Sequence, residues 1–131
     1  MKGVPKTMQV RPDYDSLWDE ILRYFEEKMA RFVKAGGDEA LILLDPGIGF
    51  GKTFGHNMQI LRHLDRLHAL GRPIFLGCSR KSFISAPPAD RLPGSLAAAA
   101  GAQLMGVHLL RVHDVAETAQ FLKVFSAIAH G

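Results

Sequence analysis

Cysteine is nearly absent. Cys78 stands alone in 131 residues, so no internal disulfide can staple the chain. Long apolar runs are missing as well: the longest, Leu96 to Leu110, is interrupted by Gly101, Gln103, Gly106 and His108. It falls short of the roughly 20 residues that a membrane-spanning helix needs. Nothing hydrophobic follows the opening Met1-Lys2-Gly3-Val4-Pro5-Lys6, so no signal peptide is expected. There is little excess charge of one sign. The 16 Lys and Arg against 13 Asp and Glu leave a net +3, and the cations are scattered, which leaves no footprint for nucleic acid. What is present is 47 % hydrophobic residues, enough for a folded core, with 13 Gly and 7 Pro too few for low complexity. The expectation is a cytoplasmic domain with neither a membrane nor a nucleic-acid partner.

Periodicity organises the rest. Residues Met1 to Asp13 read as loop, with Gly3, Pro5 and Pro12. From Asp15, Leu17, Ile21, Phe25, Met29 and Phe32 or Val33 recur at helical spacing, and Gly36-Gly37 closes the helix. Tyr14, Trp18, Tyr24, Phe25 and Phe32 are expected to pack on its face. Ala40 to Leu44 reads as a strand buried on both sides. After a Gly-rich loop, Thr53 caps a helix carrying Ile60, Leu61, Leu64, Leu67 and Leu70 on one face, ended by Gly71 and Pro73. Pro73 to Cys78 is the second strand, Ser95 to Met105 an Ala-rich helix, and Leu109 to Val112 the third strand. A last helix starts at Asp114-Val115-Ala116-Glu117, which has capping-box spacing, and turns Val115, Ala119, Leu122, Phe125 and Ile128 or Ala129 inward. This alternation predicts an α/β fold with about three parallel strands and flanking helices.

Three strand ends carry chemistry-bearing residues. Asp45-Pro46-Gly47-Ile48-Gly49-Phe50-Gly51-Lys52-Thr53 is not a P-loop, because Pro46 occupies the first glycine position. Nor is it a dinucleotide loop, because Lys52 stands where the third glycine belongs. Its glycines let the backbone approach a flat ligand or turn tightly around Asp45. Ser79-Arg80-Lys81-Ser82 sets two cations beside two hydroxyls at an expected helix N-terminus, suited to an anion or to a solvated basic turn. Arg111 and His113 fall on one side of an extended segment, as an anion clamp or a structural pair. His56, His63 and His68 lack the four-residue spacing of a helical metal pair, and Cys78 is expected to be a buried strand-end residue rather than a nucleophile.

Together these segments resemble the dihydropteroate synthase family. The similarity runs through Asp45 to Thr53 with His56-Asn57, Ser79-Arg80-Lys81-Ser82-Phe83-Ile84, Gly94-Ser95-Leu96-Ala97 and Arg111-Val112-His113-Asp114-Val115-Ala116-Glu117-Thr118. Lys2 to Gln9 is similar to the family's loop after the fifth strand. The resemblance implies that residues 1–131 are the C-terminal portion of a pterin-binding (β/α)₈ barrel, strands six to eight. It implies an enzyme that joins p-aminobenzoate to a dihydropterin methyl diphosphate and releases pyrophosphate.

The resemblance also implies roles. Asp45 accepts hydrogen bonds from the pterin, while Lys81 donates to its ring nitrogen and carbonyl. Arg111 and His113 hold the diphosphate and stabilise its departing charge, and Lys81, Arg111 and His113 are the expected catalytic residues. Ser82 meets the carboxylate of p-aminobenzoate, with Ser79 and Phe50 lining that pocket. Magnesium is implied with the diphosphate, through an Asn of the family's first half, and no motif of that half occurs here. The connection Ser85 to Asp90 is shorter than in many relatives of that family. A homodimer, or docking on a complementary half, is expected. The competing readings are a non-catalytic half-barrel that associates with a partner, and a methyltetrahydrofolate-binding methyltransferase, which would bring no diphosphate for Arg111 and His113.

Overall fold

The computed structural model describes residues 14–84 and 86–131. The loop expected over Met1 to Asp13, the Lys2 to Gln9 motif within it, and Ser85 lie outside the described residues. The chain divides into two compact units, Met1–Ile42 and Leu43–Gly131.

In the first unit, α1 spans Tyr14–Lys34. It ends as the glycine pair predicts. Gly36 adopts φ +92°, its N–H donates to Val33 O at 2.9 Å, and Gly37 N–H donates to Phe32 O at 2.9 Å. These are the two bonds of a Schellman turn, which needs a left-handed residue that glycine enters freely. Trp18 is buried, but Tyr24 and Phe32 are exposed, correcting the expectation that both pack. The strand expected over Ala40 to Leu44 is also absent. Glu39–Leu41 forms a 3₁₀ turn instead, capped by Asp38, whose Oδ1 accepts from Ala40 N–H at 2.9 Å. The Asp38 side chain offers the backbone a local bond that competes with a sheet ladder, and Leu41 is left 75 % exposed.

In the second unit, three chain segments run parallel. Leu44 forms a single parallel bridge to Ile74; β1, Phe75–Leu76, pairs in parallel with β2, Leu109–Leu110. Leu44 N–H donates to Pro73 O, Phe75 N–H to Leu44 O and Arg111 N–H to Leu76 O, all within 2.8–2.9 Å. β1 and β2 are shorter than the sequence suggests but lie within the second and third expected strands, and only the Leu44 bridge remains of the first. Parallel pairing without intervening hairpins makes this an α/β fold.

The helices cover this small sheet. α2, Phe54–Arg62, begins at Thr53, whose hydroxyl accepts from His56 N–H at 3.2 Å. The apolar face expected of one helix is split: after Arg62 the chain tightens into a 3₁₀ segment, Leu64–Leu70, closed by Gly71 at φ +66°. Ile60, Leu64 and Leu67 are nevertheless all fully buried, with Leu44, Ile48, Ile74, Leu76 and Cys78. Each such aliphatic side chain contributes about 1.5–3 kcal/mol by leaving water. α3, Leu92–Leu104, buries Ala98, Ala99 and Ala102, small enough for close approach.

α4, Val115–His130, packs against α3. Its inward face differs from the expected one. Thr118 is buried and Phe121, Leu122 and Phe125 are half-buried, while Val115, Ala119 and Ala129 are exposed and Ile128 is 77 % exposed. So rich an apolar composition offers more than one stripe at helical spacing, and periodicity alone does not choose between them. The capping box is missing too. Asp114 makes no side-chain cap bond, because both its oxygens are taken by Arg80.

Candidate functional site

The carboxyl ends of β1 and β2 open on a cavity of about 410 Å³ between Gly77, Ser79, Arg80, Lys81, Arg111 and His113. Sequence reasoning singles out most of that lining, and the fold explains how each residue reaches it.

Ser79 lies just beyond β1 and is buried. Its hydroxyl accepts from His113 N–H at 3.2 Å and meets His113 Nδ1 at 3.0 Å. This pins the imidazole through one nitrogen and leaves its other edge directed away from Ser79. Arg111 follows β2, with its guanidinium 5.8 Å from the centre of the Phe75 ring. A Cβ on Gly77 would stand 2.7 Å from an Arg111 terminal nitrogen, so glycine there makes room for the guanidinium. Gly77 escapes a reading that looks only for polar residues.

Lys81 crosses to the Gly-rich loop. Its ammonium donates to Ile48 O and sits 4.5 Å from the centre of the Phe50 ring, a cation–π contact. Burial pushes the Lys81 ammonium below the ordinary lysine range; Asp45 counteracts this, Arg111 and Lys52 add to it, and Cys78 opposes it. Asp45 itself is exposed, with Oδ1 accepting from Gly47 N–H at 2.8 Å in an Asx turn. The Gly-rich loop thus sets an aromatic face and a carbonyl against one ammonium, with the Asp45 carboxylate acting on it electrostatically.

The loop has two supports. Lys52 folds back to donate to Gly47 O at 2.8 Å, and burial lowers its pKa against the pull of Asp45. Asn57, fully buried in α2, accepts from Gly49 N–H at 2.8 Å and donates to Thr53 O at 3.0 Å. Asn57 is missing from the sequence-based site, although a polar residue between Ile60 and Phe54 on a packed helix was signal enough.

Ser82 needs correction. It is exposed and opens only a three-residue 3₁₀ turn, Ser82–Ile84, rather than an α-helix. Pro87 and Pro88 follow closely, and proline can neither donate its backbone bond nor continue a helix from within. The next α-helix begins ten residues later, at Leu92. Arg80 points outward to Asp114, with Nε donating to Oδ2 at 3.0 Å and Nη2 to Oδ1. This bidentate bond holds the Asp114 carboxyl below the usual carboxylate range. Cys78 is buried, and burial pushes its thiol up to about 11, as befits a packing residue.

A larger cavity, about 640 Å³, lies between α2 and α3. Phe54, Met58, Leu61, Phe83 and Leu104 line it, and none of the predicted site residues does. Among the described residues no cluster of three or more His, Cys, Asp or Glu side chains could hold a metal ion.

The arrangement sets an ammonium, a guanidinium and an imidazole along one strand-end cavity. Residues 1–113 match the family described as pterin binding enzyme. The chain belongs to that family. Within the pterin-binding enzymes it is 46 % identical to the dihydropteroate synthase of Escherichia coli (strain K12), covering 97 % of this chain and 46 % of the relative. It is 43 % identical to that of Neisseria meningitidis serogroup B, over 98 % of this chain and 48 % of the relative. The fold agrees. A Yersinia pestis dihydropteroate synthase crystallised as a sulfonamide drug complex superposes with a TM-score of 0.85 at 42 % identity, over 99 % of this chain and 49 % of that one. A 7,8-dihydropteroate synthase from Vibrio fischeri ES114 gives 0.86 at 39 % identity, over 99 % and 50 %. The chain thus spans about half the length of the relatives it matches. No helix among the described residues is long and apolar enough to cross a membrane.

Proposed function

We propose that residues 1–131 are the C-terminal portion of a cytoplasmic dihydropteroate synthase, the last strands and helices of a (β/α)₈ barrel. In this reading the dihydropterin ring lies between Asp45 and Lys81. The Asp45 carboxylate accepts from the ring's amino and ring N–H groups, a two-point recognition open to an ionised carboxylate. The Lys81 ammonium, now on Ile48 O, donates to the ring nitrogen and carbonyl. Phe50, beneath that ammonium, and Ser79 border the p-aminobenzoate side, where Ser82 offers a hydroxyl to the carboxylate. Because Ser82 opens only a short turn, it acts as a single donor rather than as the head of a helix dipole.

Arg111 and His113 take the diphosphate. When the carbon–oxygen bond breaks, the electron pair leaves with the diphosphate oxygen and the methylene cation is delocalised into the pterin. The amine of p-aminobenzoate then attacks that carbon and releases a proton to solvent. The role of Arg111 and His113 is electrostatic, as donors aimed where charge develops. No protein nucleophile is needed, consistent with a Cys78 thiol that keeps its proton up to about 11. The family resemblance implies magnesium at the diphosphate through an Asn of the family's first half, outside residues 1–131.

The observation that carries the reading is the convergence of Lys81, Arg111 and His113 on one strand-end cavity, with Asp45 electrostatically coupled to Lys81. Calorimetry on Arg111→Ala tests it. Pyrophosphate affinity should fall roughly ten- to hundredfold, the scale of lost hydrogen bonds to a charged group, while p-aminobenzoate affinity holds. Equal losses for both ligands would refute the clamp.

A second reading has its own support. Leu43, beside the Leu44 bridge, is 51 % exposed and Leu109 in β2 is 46 % exposed, which favours a half-barrel that associates with a second copy or a complementary half.

A further inference from the structure

Arg80 is the only non-glycine residue with a positive φ among the described residues, at +54°. A residue bearing Cβ is disfavoured there roughly tenfold. Such strain persists only where the surroundings impose it. Here the imposition is visible. Arg80 N–H donates to Ser95 Oγ at 2.9 Å, and Arg80 O accepts from Arg91 Nη1 at 2.8 Å. Both main-chain polar groups of the left-handed residue are therefore held by side chains at the start of α3. The network closes on itself: Ser95 Oγ donates to Arg91 O at 2.7 Å, and Arg91 Nε donates to Ala86 O at 2.6 Å.

Neither side chain caps the helix. Arg91 occupies the N-cap position without making a side-chain cap bond, and a cation opposes the helix dipole at that end. Ser95 is a weak helix former, buried within the first turns. A local preference violated in two places beside a strained turn points to a task outside the helix.

The task follows from what flanks Arg80. On one side Ser79 Oγ bonds His113, and on the other Lys81 Nζ bonds Ile48 O. The turn at Arg80 sets the spacing between these two groups. We infer that Arg91 and Ser95 are positioning residues that hold Arg80 left-handed, so that Lys81 meets the pterin ring while His113 meets the diphosphate of the same molecule. The inference rests on the pterin reading of Lys81 and His113.

The test uses the 131-residue chain, with two ligands: a dihydropterin bearing the methyl diphosphate, and the bare dihydropterin. Arg91→Lys keeps the charge but cannot span Arg80 O and Ala86 O; Ser95→Ala removes the hydroxyl. Each is expected to weaken the diphosphate ligand roughly tenfold or more, the scale of a small misplacement, and the bare ring much less. Arg80→Gly should restore most of that loss in either background, because glycine enters this φ without penalty. Arg80→Ala, which removes the same guanidinium but keeps Cβ, should not. Equal losses for the two ligands, or equal effects of Gly and Ala, would overturn the inference.

A chain that binds neither ligand would overturn the pterin reading instead. The positioning claim would then be decided by the His113 Nδ1 resonance, which reports the bond to Ser79. It should change in Arg91→Lys and return with Arg80→Gly; if it stays fixed, the claim fails. If Ser95→Ala does not fold, the milder Arg91→Lys decides.

Discussion

At the scale of single residues, the site sets function against stability. Lys81 is the clearest case. Burial disfavours its charge, so its folded pKa lies below the ordinary 10.5 and the unfolded chain binds the proton more tightly. The cost is fully present below that lowered value, and stability recovers as pH climbs from it towards 10.5. Lys81→Met should accordingly raise the melting temperature at pH 7, with the gain over the parent shrinking as pH rises, while pterin affinity is lost. A melting temperature lowered at pH 7 would show that the Ile48 and Phe50 contacts outweigh desolvation. Cys78 has the opposite slope. Its unfolded thiol ionises near 9.0 and its native thiol near 11, so its contribution is present below 9.0 and decays as pH rises. A thiol reagent at pH 8 should label Cys78 at the rate of unfolding, and Cys78→Ala should leave ligand binding intact. Rapid labelling of the native chain would contradict this.

At the scale of elements, Asn57 ties α2 to the Gly-rich loop. Asn57→Leu leaves Gly49 N–H without its acceptor and should cost about 1–3 kcal/mol in urea unfolding. Pterin affinity should fall with it, because Ile48 O and Phe50 lose their anchor. An unchanged affinity would mean that the loop holds its shape alone. Elements whose signals are local were legible in the sequence: the Gly36-Gly37 ending of α1, the Thr53 cap of α2 and the left-handed Gly71. Those set by long-range competition were not. Asp114 has the residue type and spacing of a cap, but Arg80, 34 positions away, claims both its oxygens. Ser82 reads as a helix start until the prolines behind it are weighed. The site shows the same division. Asp45, Lys81, Arg111 and His113 announce themselves by chemistry, whereas Gly77, Asn57, Ser95 and Arg91 matter through what they leave room for or hold.

At the scale of the molecule, the 131 residues span about half the length of the relatives they match and supply three short parallel segments. In the proposed reading these residues carry the ring-binding pair, Asp45 and Lys81, and the anion clamp, Arg111 and His113, of a barrel that takes about 250 residues. Exposed Leu43, next to the Leu44 bridge, and Leu109 in β2 predict self-association, and sedimentation should show a concentration-dependent dimer or larger species. A monomer at every concentration would remove that reading without touching the site. The site is tested most directly by titrating a dihydropterin into the chain by calorimetry, alongside Asp45→Ala and Lys81→Ala. The account predicts saturable binding that weakens roughly tenfold or more in each variant, the scale of lost charged hydrogen bonds. No saturable binding, or an affinity indifferent to both substitutions, would contradict it.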